Sequence, residues 1–363
     1  MRILRVLIGT AALFATTAPG AAASRADWDA CKGDDPDRSI AACTRIIQGR
    51  GETAKDSAIA RGYRGLAYQR KGDLDRAIAD YSEAIRLDPK LAAAYNNRGN
   101  AYQDKDDLDR AIADFNEAIR LAPQFEAVYP DTIIRRLAHF NRGGAYADKG
   151  DLDRAIADFN EAIRLDPNYA DAHYTRAAAY ANKGDFARAV ADLSEVIRLD
   201  PKSAVAYNNR GSAYAFQGDI DRAIADFSES IRLEPRVAAV HYNRGKLYQL
   251  QGKNDRAIAD LSEAIRLDPK FAAAYSDRAT AYLLQGNSDR AIADFSAAIR
   301  LDPKLASAYN DRGKVYQLQG NNDRAIADLS EAIRLEPKFV FAYVDRGNAY
   351  RAVSYTHLTL PTN

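Results

Sequence analysis

The chain has little of what most enzymatic chemistry requires. Its 363 residues include two cysteines, one methionine, one tryptophan and four histidines. So few ligand-type side chains, spread along the sequence, form no cluster with metal-binding spacing. There is no HExxH, no phosphate-cradling glycine loop and no G-x-S-x-G, which removes the common metallohydrolase, nucleotidase and serine-hydrolase readings. Gly245-Lys246 and Gly313-Lys314 lack the upstream glycine and the following hydroxyl of a phosphate loop. An excess of one charge is also missing: Lys+Arg is 51 and Asp+Glu is 50, a net charge of +1. That balance offers no electrostatic reason for a nucleic-acid partner. No β-rich run occurs, and no apolar stretch reaches the ~20 residues of a membrane helix.

The longest apolar stretch is short and stands at the start. Arg2 and Arg5 precede the mostly apolar residues 6–15, and Ala21, Ala22 and Ala23 supply small residues for cleavage. Residues 1–23 therefore read as a cleaved export signal, with a retained anchor as the weaker alternative. Cys31 and Cys43 follow directly. In an oxidising compartment they read as a disulfide; otherwise they are two small buried apolar residues.

What is abundant is helix former, arranged periodically. Pro89 and Pro123 are 34 residues apart, and Pro167, Pro201, Pro235, Pro269, Pro303 and Pro337 continue at 34. Residues 207–235 show the unit. Tyr207, Gly211 and Tyr214 share one helix face, and Gly218 marks a stop. Ala223, Phe227 and Ser230 share a face of a second helix, which Pro235 ends. Neither helix can bury its apolar face alone.

With the proline counted as position 32, position 8 is Gly or Ala and position 11 is Tyr in every unit, from Tyr68 to Tyr316. Position 20 is Ala from Ala77 to Ala325, and position 24 is aromatic or Leu from Tyr81 to Leu329. Period and pattern resemble the tetratricopeptide repeat (TPR) family over residues 58–353, as eight units and part of a ninth. The resemblance implies an all-α, right-handed superhelical solenoid of helix-turn-helix units. Its concave groove would be lined mainly by first helices and would bind protein or peptide.

The pattern has three irregular places. Residues 24–57 read as a degenerate capping unit, with Cys43 in the aromatic position and Trp28 in a stunted first helix. The interval from Pro123 to Pro167 is 44 residues. The ten extra, near 126–135, are expected either to prolong a first helix backwards from an Asp131 or Thr132 N-cap or to loop out. After Val353 the pattern stops, and residues 354–363 read as a non-native tail that cuts the ninth unit short, which leaves open whether a further domain follows.

Polar rows follow the same period. Position 7 is Arg from Arg64 to Arg346, and position 23 is Asp from Asp80 to Asp328. Recurring together, they are expected to pair as fork and carboxylate, either within a unit or across to its neighbour, rather than to form an anion-binding stripe. His139, His173 and His241 replace a tyrosine at position 4, which suits packing better than metal binding. Positions 5 and 6 carry Asn96, Asn97, Asn141, Asn208, Asn209, Asn243, Asp277, Asn310, Asp311 and Asp345. This row is similar to the asparagine ladder of the O-linked N-acetylglucosamine transferase TPR superhelix, where amides hold a peptide backbone. All but Asp345 form the candidate peptide-binding site, with a merely solvated face as the alternative, and the acidic end at Asp277, Asp311 and Asp345 favours basic segments. Positions 12 and 13 turn from Gln69, Arg70, Gln103 and Asp104 to Phe216, Leu250, Leu283, Leu284 and Leu318, so the later groove is expected to be apolar.

The reading is an exported bacterial chain, periplasmic or secreted, that acts as a non-enzymatic scaffold. It has no catalytic residues, metal or cofactor and no stable membrane span once the signal is removed. The alternatives are the recruiting arm of a larger enzyme and a solenoid that pairs with copies of itself.

Overall fold

The structure, a computed structural model, describes residues 23–49, 52–122 and 129–359. The export signal, at 1–23, lies almost wholly outside them. The described residues contain nineteen α-helices and no strand. They fall into two compact units, up to Asp200 and from Pro201. In the first, α1 (Arg25–Cys31) and α2 (Pro36–Gln48) precede α3 (Ala54–Arg70) with α4 (Leu74–Leu87) and α5 (Ala92–Asp104) with α6 (Leu108–Leu121). Then come α7 (Tyr129–Asp148) with α8 (Leu152–Leu165), and α9 (Ala170–Asn182) with α10 (Phe186–Leu199). The second unit pairs α11 (Ala204–Phe216) with α12 (Ile220–Leu233), α13 (Ala238–Leu250) with α14 (Asn254–Leu267) and α15 (Ala272–Leu284) with α16 (Ser288–Leu301). It ends with α17 (Ala306–Leu318), α18 (Asn322–Leu335) and α19 (Val340–Thr359).

Each pair closes on a small residue, glycine in most and Ala177 or Ala279 in two. A Cβ added at Gly99 would sit 2.6 Å from Phe115, and one at Gly65 2.7 Å from Tyr81. The position-24 side chain thus lies against bare glycine backbone and is fully buried in Tyr81, Phe115, Phe159, Leu261 and Leu329, and Phe295 is equally buried beside Ala279. Burying such a side chain contributes roughly 1.5–3 kcal/mol per pair. The turn between the helices uses a second glycine with φ between +72° and +82° at Gly72, Gly150, Gly184, Gly218, Gly252, Gly286 and Gly320. Asp106 holds the same left-handed conformation at φ 64° without glycine's freedom.

The irregular places pack as helix. Cys31 of α1 and Cys43 of α2 are joined as a disulfide, with Cα atoms 4.8 Å apart. A short bridged loop of this kind contributes about 2–4 kcal/mol. The bond fills the position-24 space that an aromatic ring fills elsewhere. The helix α7 is 20 residues long where α5 and α9 have 13. It begins at Tyr129, ahead of the expected Asp131 or Thr132 cap. Pro130 is tolerated in a first turn because its missing N–H would have no helical partner there. Ile134 and Leu137 join the core around Tyr169 and Ala172, so this part of the insert is packed. Residues 123–128 lie outside the described residues. The end of the repeat pattern at Val353 does not end α19, which runs to Thr359.

One near-duplication isolates a capping effect. Residues 248–267 and 316–335 differ only at Lys253 and Asn321. Asn321 caps α18 by accepting from the Arg324 N–H at 3.4 Å, whereas Lys253 offers α14 no side-chain cap. Lys253→Asn should stabilise the chain by about 1 kcal/mol. The gain should appear as a raised urea midpoint and slower amide exchange in residues 254–267; an unchanged midpoint would remove the capping account.

The first-helix face as a candidate interaction surface

Polar side chains on the first helices divide into a structural row and an inner row. The structural row is the position-7 arginine. Arg98 donates from Nε to Asp114 Oδ2 at 2.7 Å and from Nη2 to Oδ1 at 2.8 Å. The same two-pronged pair joins Arg64 to Asp80, Arg244 to Asp260, Arg278 to Asp294 and Arg312 to Asp328. Nη1 reaches further, to the preceding second helix. Arg98 meets Ser82 Oγ at 3.0 Å, Arg278 meets Ser262 Oγ at 2.9 Å and Arg142 meets Asn116 Oδ1 at 2.5 Å. Of the two expected alternatives, the Arg–Asp pair is made within a unit, and the reach across units goes to a hydroxyl or amide instead. The position-25 hydroxyl or amide was not recognised in the sequence, although its period there is the same. The carboxylate side is buried, as at Asp80 and Asp260, so the row is not open to anions.

The histidines lie in this row. His173 Nδ1 is 3.1 Å from Asp192 Oδ1 and Nε2 is 3.1 Å from the Pro167 carbonyl oxygen. The Asp192 hydrogen bond raises its pKa above the ordinary imidazole value, and burial only partly offsets this.

The inner row is positions 5 and 6, and its burial differs from the expected open ladder. Asn96, Asn97 and Asn310 are only 0%, 2% and 1% exposed. Neighbouring amides satisfy one another: Asn96 Nδ2 donates to Asn97 Oδ1 at 3.2 Å, and Asn141 Nδ2 donates to Asn96 Oδ1 at 3.0 Å. The second bond joins α7 to α5, so part of the row holds first helices together. Asn141, Asn208, Asn209, Asn243, Asp277 and Asp311 are half-buried. Burial pushes the Asp277 and Asp311 carboxyls up.

First helices adjoin one another directly, α3 on α5 and α5 on α7 in one unit, α13 on α15 and α15 on α17 in the other. No comparable packing joins successive second helices among the described residues. The first-helix side is thus the inner side of each unit. At its edge the two units differ. Phe216, Leu250, Leu284 and Leu318 are 73%, 74%, 62% and 73% exposed. The corresponding residues of the first unit are Arg70, Asp104, Asp148 and Asn182.

Two outcomes follow from the structural row. Arg278→Met should cost about 3–5 kcal/mol by stranding buried Asp294, while Arg278→Met combined with Asp294→Leu recovers most of the loss. Urea denaturation of the two variants measures the difference. For His173, whose folded pKa is raised, the stabilisation is complete below the unfolded value of about 6.5. It is lost as pH rises through the folded pKa. The stability gap between wild type and His173→Asn should therefore shrink on going alkaline, and a gap that widens would contradict this pairing.

A TPR repeat model matches residues 65–106, 143–184, 179–218 and 211–252. Tetratricopeptide repeat models match 242–306, and 92–125 with 306–339. No curated protein matches the chain. Among solved structures, MamA is 30% identical, covering 46% of this chain and 96% of its own, with a TM-score of 0.44. YrrB, described as a TPR protein with an unusual peptide-binding site, is 23% identical over 52% of this chain and 97% of its own, with a TM-score of 0.46. Pseudomonas aeruginosa pilF is 19% identical over 59% of this chain and 97% of its own, with a TM-score of 0.51; that likeness is one of fold alone. With repeat models matched along most of its length and helix pairs that close on glycine or alanine, the chain belongs to the tetratricopeptide repeat family.

Proposed function

We propose that the chain is a protein-interaction scaffold that holds a segment of a partner protein against the inner, first-helix face. The family supports the scaffold role. The observation that carries the finer reading is the face itself. Half-buried amides and acids at positions 5 and 6 run beside the exposed row of Phe216, Leu250, Leu284 and Leu318. Amides can donate to and accept from a peptide backbone whatever its sequence, and the apolar row gives a partner surface to bury. No helix among the described residues is long and apolar enough to cross a membrane.

Export is part of the same reading. It rests on the N-terminal pattern of Arg2, Arg5, residues 6–15 and Ala21 to Ala23, and a Cys31–Cys43 disulfide suits an oxidising compartment. The mature chain should begin at Ser24, which N-terminal mass analysis of protein recovered from the periplasm or medium checks directly.

The binding test is capture by the immobilised full chain. Wild type should retain a partner that the Asn209→Ala, Asn243→Ala double variant loses, while Arg266→Ala on an exposed second-helix surface leaves capture unchanged. Equal capture by all three would remove the inner face from the account.

A further inference from the structure

Within residues 201–363 the inner face has a chemical bias that the other unit lacks. Three buried side-chain atoms at positions 5 and 6 have no hydrogen-bond partner: Asn208 Oδ1, Asp277 Oδ2 and Asn310 Oδ1. All three are acceptors. At Asn310 the orientation is set by chemistry, because its Nδ2 donates to the Asp311 carboxylate at 3.0 Å, which leaves the carbonyl oxygen unmet. Asn310 is itself only 1% exposed. In the first unit the corresponding unmet atom is a donor, Asn97 Nδ2. The same face sets three carboxylates, Asp277, Asp311 and Asp345, against two lysines. Lys314 lies 3.8 Å from Asp311 and 3.4 Å from Asp345, and Lys246 sits over the Tyr242 ring. The face therefore calls for donors and for positive charge.

At position 14 the edge beside it has lost its lysines. In the first unit position 14 is lysine, at Lys71, Lys105, Lys149 and Lys183. These residues pair with acids of the preceding second helix, as Lys105 does with Asp75 at 2.5 Å. In the second unit position 14 is glutamine, which makes the same contact without charge. Gln251 donates to Asp221 at 2.9 Å and Gln319 to Asp289 at 3.0 Å. Next to these glutamines stand the exposed Phe216, Leu250, Leu284 and Leu318. An apolar row flanked at position 14 by glutamine in place of lysine, with Lys253 on Gln251 as a single cation beside it, and set against unmet acceptors and excess carboxylate, is complementary to one kind of ligand.

We propose that the inner face of residues 201–363 binds a cationic amphipathic protein segment. Its apolar side chains lie on the Phe216, Leu250, Leu284 and Leu318 row, and its lysines or arginines point to Asp277, Asp311 and the unmet acceptors between them. A second copy of the chain would cover the apolar row but leave the acceptors unmet. An anionic surface would meet the carboxylates with the wrong sign. The proposal rests on the scaffold reading above and adds the class of partner.

The experiment titrates the full chain into a fluorescent amphipathic Leu/Lys peptide, read by anisotropy. Two control peptides carry Glu in place of every Lys, or Ser in place of every Leu. The Leu/Lys peptide should bind, both controls should bind at least about tenfold more weakly, and added salt should weaken the complex. Asp277→Asn with Asp311→Asn should cost about tenfold in affinity, as should Leu250→Ser with Leu284→Ser. Gln251→Lys with Gln285→Lys, which changes only the surface edge and keeps the fold, should weaken binding in the same direction. Equal affinity for the Glu peptide, or full affinity in the Gln251→Lys, Gln285→Lys variant, would overturn the proposal. So would a wild-type dimer by light scattering that Leu250→Ser with Leu284→Ser disperses, because the row would then belong to a second copy. If Asn209→Ala with Asn243→Ala still abolishes partner capture while the Leu/Lys peptide fails to bind, the scaffold reading stands and this partner class falls. If neither partner nor peptide binds, both fall.

Discussion

A guanidinium that ties the helix carrying it to two others is the contact on which the array depends. The position-7 arginine grips the aspartate of its own second helix with two nitrogens. With the third it reaches a hydroxyl or amide on the second helix before it. The first bond fixes the angle within a pair, and the second fixes how one pair stacks on the next. Small residues at positions 8 and 20 allow the approach, and the ring or leucine at position 24 fills what remains. Without a central core, a stack of this kind holds together through contacts between neighbours, so a polar contact that spans the joint in each repeat carries unusual weight. The charge is affordable because the carboxylate is doubly bonded while the arginine stem stays partly in water.

That framework leaves the inner face free to vary. Positions 7, 8, 11, 20, 23 and 24 are spent on architecture and hardly change along the chain. Positions 5, 6, 13 and 14 change, and they change together between the two compact units. Up to Asp200 the edge carries lysine–aspartate pairs, and the amides of α5 and α7 bond to one another. From Pro201 the edge is leucine and glutamine, the row turns acidic, and acceptors are left unmet. One scaffold therefore presents two chemically distinct surfaces, and the difference lies in side chains that the fold does not need.

Much of this was legible in the residues alone. The proline interval announced the unit, and the Gly, Tyr, Ala and aromatic positions announced its packing, because a repeated contact must use the same residue types each time. The shared period of Arg and Asp led to their pairing by the cost of burying either alone. The later apolar edge was readable as Phe216, Leu250, Leu284 and Leu318. The third contact of the arginine was missed because position 25 varies among Thr44, Ser82, Asn116, Asn160 and Ser262. These share an oxygen rather than a name. The start of α7 was placed too late because a proline that begins a helix and one that precedes it look alike in sequence.

The sequence by itself determined the helical class, the repeat and the residues that close each pair, since those follow from local periodicity and from side-chain size. Tertiary structure decided which polar groups are spent and which remain. Asn96, Asn97 and Asn310 read as open ladder residues, yet they are buried where neighbouring first helices converge. Whether an amide faces a neighbour or a ligand depends on how closely successive helices approach. That distance is set by packing between repeats and is not encoded in any one of them.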